Sequence, residues 1–283
     1  MTTQHTSRSQ KRLGRSALFC LRCLCLLTLL TLFSHSAQAQ PKFIMQGFYW
    51  NTNPGDFTDI NDGGIWWDTI AFVAPQLKDA GFDVVWMPPA QKGFAGIFDM
   101  GYGIADYFDF GQFNQYGTVR TRHGNLAQLQ NAINALKSNG LAVMADVVLN
   151  HRAGAVSEQL EDCIIPSRPQ EKRFTNFMPA SLRIQMDSSH FHPTSLAGHC
   201  DLSSPYHDRV FFEDICYFNH INNVLDPNLP NNGWYFGPHV LGAAGDSLVL
   251  VGRHMIQDIG FDMVRLDAVK HIEPGFLAPF LVE

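Results

Sequence analysis

Basic residues are scarce beyond the first 39 positions. Those 39 hold five of the 20 Lys and Arg and none of the 26 Asp and Glu. The remainder therefore sets 15 basic side chains against 26 acidic ones, a net charge of −11. A surface of that sign with no basic cluster excludes a nucleic-acid binder. Long apolar runs are missing as well. The apolar stretch at residues 24–33 is too short to span a bilayer; it follows Arg8, Lys11, Arg12 and Arg15 and precedes Ala37-Gln-Ala39. That order is a secretory signal peptide over residues 1–39, cleaved near Ala39. It implies an extracellular or periplasmic protein with no stable membrane anchor. Cysteine is thin: Cys20, Cys23 and Cys25 leave with the signal, and with them a Cys-x-x-Cys spacing that would otherwise suggest redox chemistry. Cys163, Cys200 and Cys216 remain, enough for one disulfide and one thiol, with the pairing open. Internal repeats and low-complexity tracts are absent, which excludes a repeat array.

What is present is apolar mass, 46% hydrophobic and 12% aromatic residues, ample for a large core. Residues 43–50 read as a first strand. Residues 66–80 carry helical apolar spacing through Trp67, Ile70, Phe72, Val73 and Leu77, and stop at Gly81. Residues 83–87 form a continuous apolar strand closed by Pro88-Pro89, and a long Gly-, Tyr- and Phe-rich loop follows at 90–125. A helix at 126–138 ends before Gly140, and 141–149 is another apolar strand. Alternating strands and helices with near-continuous apolar strands predict a parallel sheet covered by helices.

The spacing then breaks. Asp146 on the third strand and Asp262 on the next lie 116 residues apart, whereas an eight-unit barrel spends roughly 30 residues per strand–helix unit. Something on the order of eighty residues is inserted. It is polar, irregular, and holds all three remaining cysteines; a segment of that length is usually functional or a small domain. Residues 246–259 are expected as the returning helix, with Asp246 as its cap. Residues 261–267 are the fourth strand, and 273–282 begin a fourth helix. The expected division is a signal peptide at 1–39, a barrel portion at 40–151 and 246–283, and an inserted region at 152–245.

The chemistry centres on Gly260-Phe-Asp-Met-Val-Arg-Leu-Asp-Ala-Val-Lys-His271. Three charges, Asp262, Arg265 and Asp267, interrupt its apolar run. Strand residues two apart share a face, so Arg265 and Asp267 point the same way, and a fixed guanidinium keeps a carboxylate ionised. A positioned, ionised Asp is what a covalent nucleophile at a sugar carbon requires. Taken alone, the stretch fits a buried structural Arg–Asp pair equally well. A second motif of the same strand-then-polar-loop build, Asp146-Val-Val-Leu-Asn-His151, favours the catalytic reading.

Together with Ile44-Met-Gln-Gly-Phe-Tyr-Trp50, Val85-Trp-Met-Pro-Pro89, Gly101-Tyr-Gly103 and Gly117-Thr-Val-Arg-Thr121, these motifs resemble the alpha-amylase family of glycoside hydrolases, in particular its bacterial liquefying and plant-type members. The resemblance runs from about residue 43 to the C-terminus and is weakest at 155–245. It implies a (β/α)8 barrel of the TIM type, of which about the first four β/α units are present, with an inserted domain after the third strand. It implies retaining cleavage of internal α-1,4-glucosidic bonds in starch-like glucans, with Asp267 as nucleophile, Arg265 beside it, and Asp146 holding Arg265. Tyr102 and His151 match residues that contact the sugar at the cleavage point; Lys270 and His271 match contacts to the next glucose. Asn150, through its side-chain oxygen, and the backbone carbonyl of His271 match calcium ligands, the remainder of the 6–8 oxygens to come from the insertion, where Asp201, Asp208, Asp214 and Asp226 are candidates. A monomer is expected for the complete protein.

Two departures stand out. Met263 and Val264 occupy positions where the family commonly has Gly and an aromatic. The family's general acid is a Glu on the fifth strand, roughly 30 residues beyond Asp267 by barrel spacing, so Glu283, 16 residues on, is not that acid. The chain accordingly reads as the N-terminal part of a longer protein, or as the product of an incompletely read gene, expected to be inactive and to fold poorly alone. The alternatives are a non-catalytic α-glucan-binding or relic protein, and a sister alpha-glucosidase.

Overall fold

The computed structural model describes residues 42–154, 157–161, 171–186, 209–211, 243–269, 272 and 274–282. The signal-peptide segment 1–39, the three later cysteines, Lys270, His271, Glu283 and the four candidate aspartates of the insertion lie outside them.

Four strands, β1 (Ile44–Gln46), β2 (Val84–Trp86), β5 (Ala142–Val147) and β10 (Met263–Leu266), form one sheet in that spatial order, every pair parallel. Helix α1 (Trp66–Asp79) connects β1 to β2, α2 (Leu126–Ser138) leads into β5, α3 (Ala243–His254) leads back to β10, and α4 (Pro274–Val282) follows. Strand alternation separates two faces. Val85, Val143, Ala145 and Val147 join the core with Trp67, Ile70 and Ala74 of α1, Leu129, Ile133 and Leu136 of α2, and Leu248, Val251 and Met255 of α3. The opposite face carries Trp86, Met144, Asp146 and Arg265, which places the polar residues on the barrel's inner side.

Local sequence explains the boundaries. Helix α2 begins where expected because Asn125 and Gln128 form a reciprocal capping box, Asn125 accepting from the Gln128 N–H at 3.0 Å and Gln128 from the Asn125 N–H at 2.9 Å. Gly81 and Gly140 follow α1 and α2 with φ of 90° and 72°, values L side chains resist. Asp246 is not a cap: α3 starts at Ala243, leaving Asp246 within the first turn, where a carboxylate still favours the helix dipole. Beyond α3 the chain widens into a π-helical turn, Met255–Ile259, closed by Gly260 at φ 97°. Asp262, the first charge in the apolar run, anchors the start of β10. Its backbone N–H donates to the Val143 carbonyl at 2.9 Å, its carboxylate accepts from the Val143 N–H at 3.0 Å, and Lys137 lies 3.0 Å away.

Residues 90–125, read from sequence as a loop, are largely buried structure. They contain the antiparallel pair β3 (Lys92–Gly93) and β4 (Ile104–Asp106) and a 3-10 turn, Gly96–Phe98. The Lys92 side chain is fully buried: its ammonium donates to the carbonyls of Thr118 (3.0 Å), Val119 and Arg120 (3.1 Å) and stands 3.7 Å from the Asp109 carboxylate. Burial pulls the Lys92 pKa down, with Asp109 acting in the opposite sense. In the inserted segment, β6 (His151–Ala153) pairs with β9 (Arg209–Phe211) and β7 (Ser157–Glu161) with β8 (Glu171–Asn176), both antiparallel, so its described part is more regular than its composition suggested.

Candidate active site

Parallel register puts Arg265 directly beside Asp146 across β10 and β5, and alternation puts Asp267 beside Arg265. The Arg265 guanidinium uses one nitrogen, Nη1, to bond Asp146 Oδ1 at 2.9 Å and Asp267 Oδ1 at 2.7 Å. Asp146 has no exposed side-chain surface, while Arg265 is 34% and Asp267 21% exposed. Among the described residues Asp267 Oδ2 takes no hydrogen bond. Its backbone N–H bonds the Val147 carbonyl at 2.9 Å, and Ala268 next to it has φ 49°. A non-glycine residue held there is a local strain of the kind found beside reacting groups.

Asp146 is the hub. Its Oδ2 accepts from the Tyr102 hydroxyl at 2.8 Å and from the Trp86 indole N–H at 3.1 Å. Trp86 also lies under Arg265, with the guanidinium carbon 4.9 Å from the ring centroid, a cation–π contact, and meets Phe48 edge-on at 5.2 Å. Burial pushes the Asp146 carboxyl above its ordinary range, against the lowering effect of the Tyr102 and Arg265 bonds. Three donors aimed at it suit the acceptor-only, ionised form. Burial and the Asp146 charge push the Tyr102 phenol up, keeping it a donor. Burial works against the charge on Arg265, but its bonds to Asp267 and Asp146 outweigh that and raise its pKa.

The structure brings Tyr102, Asp146, Arg265 and Asp267 into one connected group. It joins His151 to them through Tyr102, whose backbone carbonyl lies 2.8 Å from His151 Nε2. Tyr102 meets the site with its hydroxyl, and its ring stacks on Trp50 at 5.9 Å and 22°. Asn150 is buried, its amide nitrogen 3.3 Å from His151 Nδ1. Trp86 is the residue that sequence reasoning missed. An apolar strand containing Trp reads as core, and only the register of β2 against β5 reveals that Trp86 faces Asp146.

Arg265 holds Asp267 in place at the C-terminal end of a parallel strand, the end where barrel enzymes place their chemistry. The group fixes one carboxylate oxygen of Asp267 on Arg265 and leaves the side chain partly exposed.

Comparison with known proteins shows the family to which the sequence is similar. The family model described as alpha amylase, catalytic domain, matches residues 57–276. The cytoplasmic alpha-amylase of Escherichia coli (strain K12) is 29% identical over 255 residues, 82% of this chain and 48% of that protein. The alpha-amylase of Bacillus licheniformis is 38% identical over 151 residues, covering 52% of this chain and 27% of the relative. The chain thus spans half or less of these relatives' lengths. The solved alpha-amylase of Geobacillus thermoleovorans complexed with acarbose aligns with a TM-score of 0.48 at 16% identity, over 86% of this chain and 43% of that one.

Proposed function

This chain belongs to the alpha-amylase family of glycoside hydrolases, and from that premise we propose that it carries the nucleophile side of a retaining, endo-acting α-1,4-glucan hydrolase. The observation that supports this reading most is Asp267, partly exposed at the end of β10 and bonded through one oxygen to Arg265 at 2.7 Å. In the proposed step Asp267 attacks the anomeric carbon. The carboxylate–carbon bond forms as the glycosidic carbon–oxygen bond breaks, and the departing oxygen takes a proton from a general acid; water then reverses the sequence. The acid must be a second carboxyl about 5–5.5 Å from the nucleophile. Asp146 does not suit that task, because Tyr102, Trp86 and Arg265 already donate to its two oxygens. A Glu at the end of the following barrel strand is the expected source.

Tyr102 and His151 are proposed contacts to the sugar at the cleavage point, and Lys270 and His271 proposed contacts on the leaving side. The test is the product profile from starch in the complete protein. Mixed maltooligosaccharides released as α-anomers are expected. Glucose alone would move the assignment to an alpha-glucosidase, and binding without cleavage to a non-catalytic glucan binder. Export after cleavage near Ala39 and action as a monomer belong to the same proposal. Among the described residues no helix is long and apolar enough to cross a membrane.

Calcium is the cofactor proposed. Asn150 fits a ligand role: it is buried at the end of β5, next to the strand that enters the insertion, with an amide oxygen of the hard type calcium takes. The His271 carbonyl and oxygens of the insertion would complete the shell. Among the described residues there is no group of three or more His, Cys, Asp or Glu able to hold a metal. When bound, the ion would tie the insertion to the barrel. A chelator is expected to lower the melting temperature by on the order of 5–10 °C, and superimposable melting curves would sink the calcium proposal.

A further inference from the structure

Two loops on the active-site side of the sheet meet in two aromatic pairs. Residues 47–65 follow β1, and residues 87–103 follow β2. Their inner pair is Trp50 on Tyr102, whose hydroxyl reaches Asp146. Their outer pair is Phe57 on Phe98, with centroids 5.5 Å apart and planes inclined by 19°. Phe57 is 51% and Phe98 67% exposed, so each leaves more than half of its surface to solvent. Exposed apolar side chains are ordinary when they stand singly. Two flat rings from different loops, held face to face in water, are not that case.

The backbone beneath both pairs is fixed. Buried Arg122 lies under both loops, its Nε donating to the Thr52 carbonyl at 2.8 Å and its Nη1 3.4 Å from that of Ile97. Buried Arg120 donates to the carbonyls of Asp56 at 2.6 Å and Asp59 at 2.7 Å, on either side of Phe57. The Asp56 carboxylate closes that turn on the Thr58 N–H and hydroxyl at 2.8 and 2.7 Å. Between the pairs, His123 joins the two loops: Nε2 lies 3.3 Å from the Met100 carbonyl and Nδ1 3.4 Å from the Thr52 hydroxyl. Complete burial pushes His123 down to about 3. The ring is therefore neutral, donating to Met100 and accepting from Thr52. Rings mounted on pre-ordered loops bind without a large ordering penalty.

We propose that Phe57 and Phe98 form a stacking platform for an α-glucan, outside the catalytic centre, that takes sugar units of the same chain whose inner end lies on Tyr102. The apolar face of a pyranose matches an aromatic face. Phe98 and Tyr102 are four Cα-to-Cα steps apart along the chain, so their Cα atoms are at most roughly 14 Å apart, within the reach of one oligosaccharide. The platform rests on the glucan reading of the Asp267 site and adds to it a preference for longer chains.

Calorimetric titration with maltose, maltotriose and maltoheptaose, in an Asp267→Asn background so that no ligand is consumed, tests the platform. Phe98→Ala is expected to weaken maltoheptaose roughly three- to tenfold and to leave maltose unchanged. Phe98→Leu, which keeps apolar bulk but not the flat face, should lose as much, and Phe57→Ala should follow the same length dependence. Unchanged maltoheptaose affinity in Phe98→Ala overturns the proposal, and a lowered melting temperature beside it would show that protein, not sugar, covers the rings. Equal losses for maltose and maltoheptaose overturn it as a general structural effect. If the parent protein binds none of the three sugars, the glucan reading itself fails, and the platform with it.

Discussion

Asp267→Asn is expected to lower the turnover of α-maltosyl fluoride by roughly 10⁴-fold or more, the scale of loss when one member of a cooperating catalytic group is removed, and to leave the fold intact. Fluoride departs without protonation, so this substrate isolates the nucleophile from any general acid. Asparagine keeps the shape of the side chain and an oxygen that can accept from Arg265. The neighbouring architecture does not depend on the Asp267 charge: Arg265 retains Asp146 at 2.9 Å, and the backbone bond from residue 267 to Val147 is untouched. What is lost is the negative charge and the nucleophilic lone pair. A variant that melts like its parent yet turns the fluoride over at the parent rate would remove Asp267 from the mechanism.

Lys92→Met is the substitution expected to damage stability most. The side chain is fully buried with its ammonium among the carbonyls of Thr118, Val119 and Arg120 and near Asp109. Methionine fills the stem's volume but removes the donor, leaving those carbonyls short of a partner and Asp109 as a buried charge held by fewer groups. Removing one partner of a buried ion pair costs about 3–5 kcal/mol, a fall in melting temperature on the order of 10 °C for a domain of this size. Because Lys92 braces the region that carries Tyr102, maltooligosaccharide binding should weaken as well. A melting temperature within a degree of the parent's would show that the cage contributes nothing.

The parts of the fold legible in the sequence are those with local causes. The bounds of helix α2 agree with the reading at 126–138, which rests on the glycine stop at Gly140; the structure adds the capping pair of Asn125 and Gln128 at its start. The relation of Arg265 to Asp267 followed from strand alternation alone. Their junction with Asp146 was implied by family resemblance, and the register of β10 on β5 now accounts for it. Relations between distant segments were not legible. Lys92 stands in the stretch read as a Gly-rich loop, and nothing nearby announces that carbonyls some 26 residues later will close around it. Trp86 reads as core for the same reason. Asp246 satisfied the composition of a cap, yet α3 begins three residues earlier at Ala243, as helix ends are set by tertiary packing as much as by a cap's identity.

The central claim is that Asp267 forms a covalent bond to a sugar. The direct measurement is peptide mass spectrometry after incubation with a fluorinated α-maltosyl fluoride, a reagent whose activated leaving group allows the glycosyl–enzyme bond to form and whose ring fluorine slows its hydrolysis. The account predicts a stoichiometric sugar adduct on the peptide containing Asp267, absent when the residue is asparagine. An adduct on another residue, or none while the protein still binds maltooligosaccharides, would contradict it.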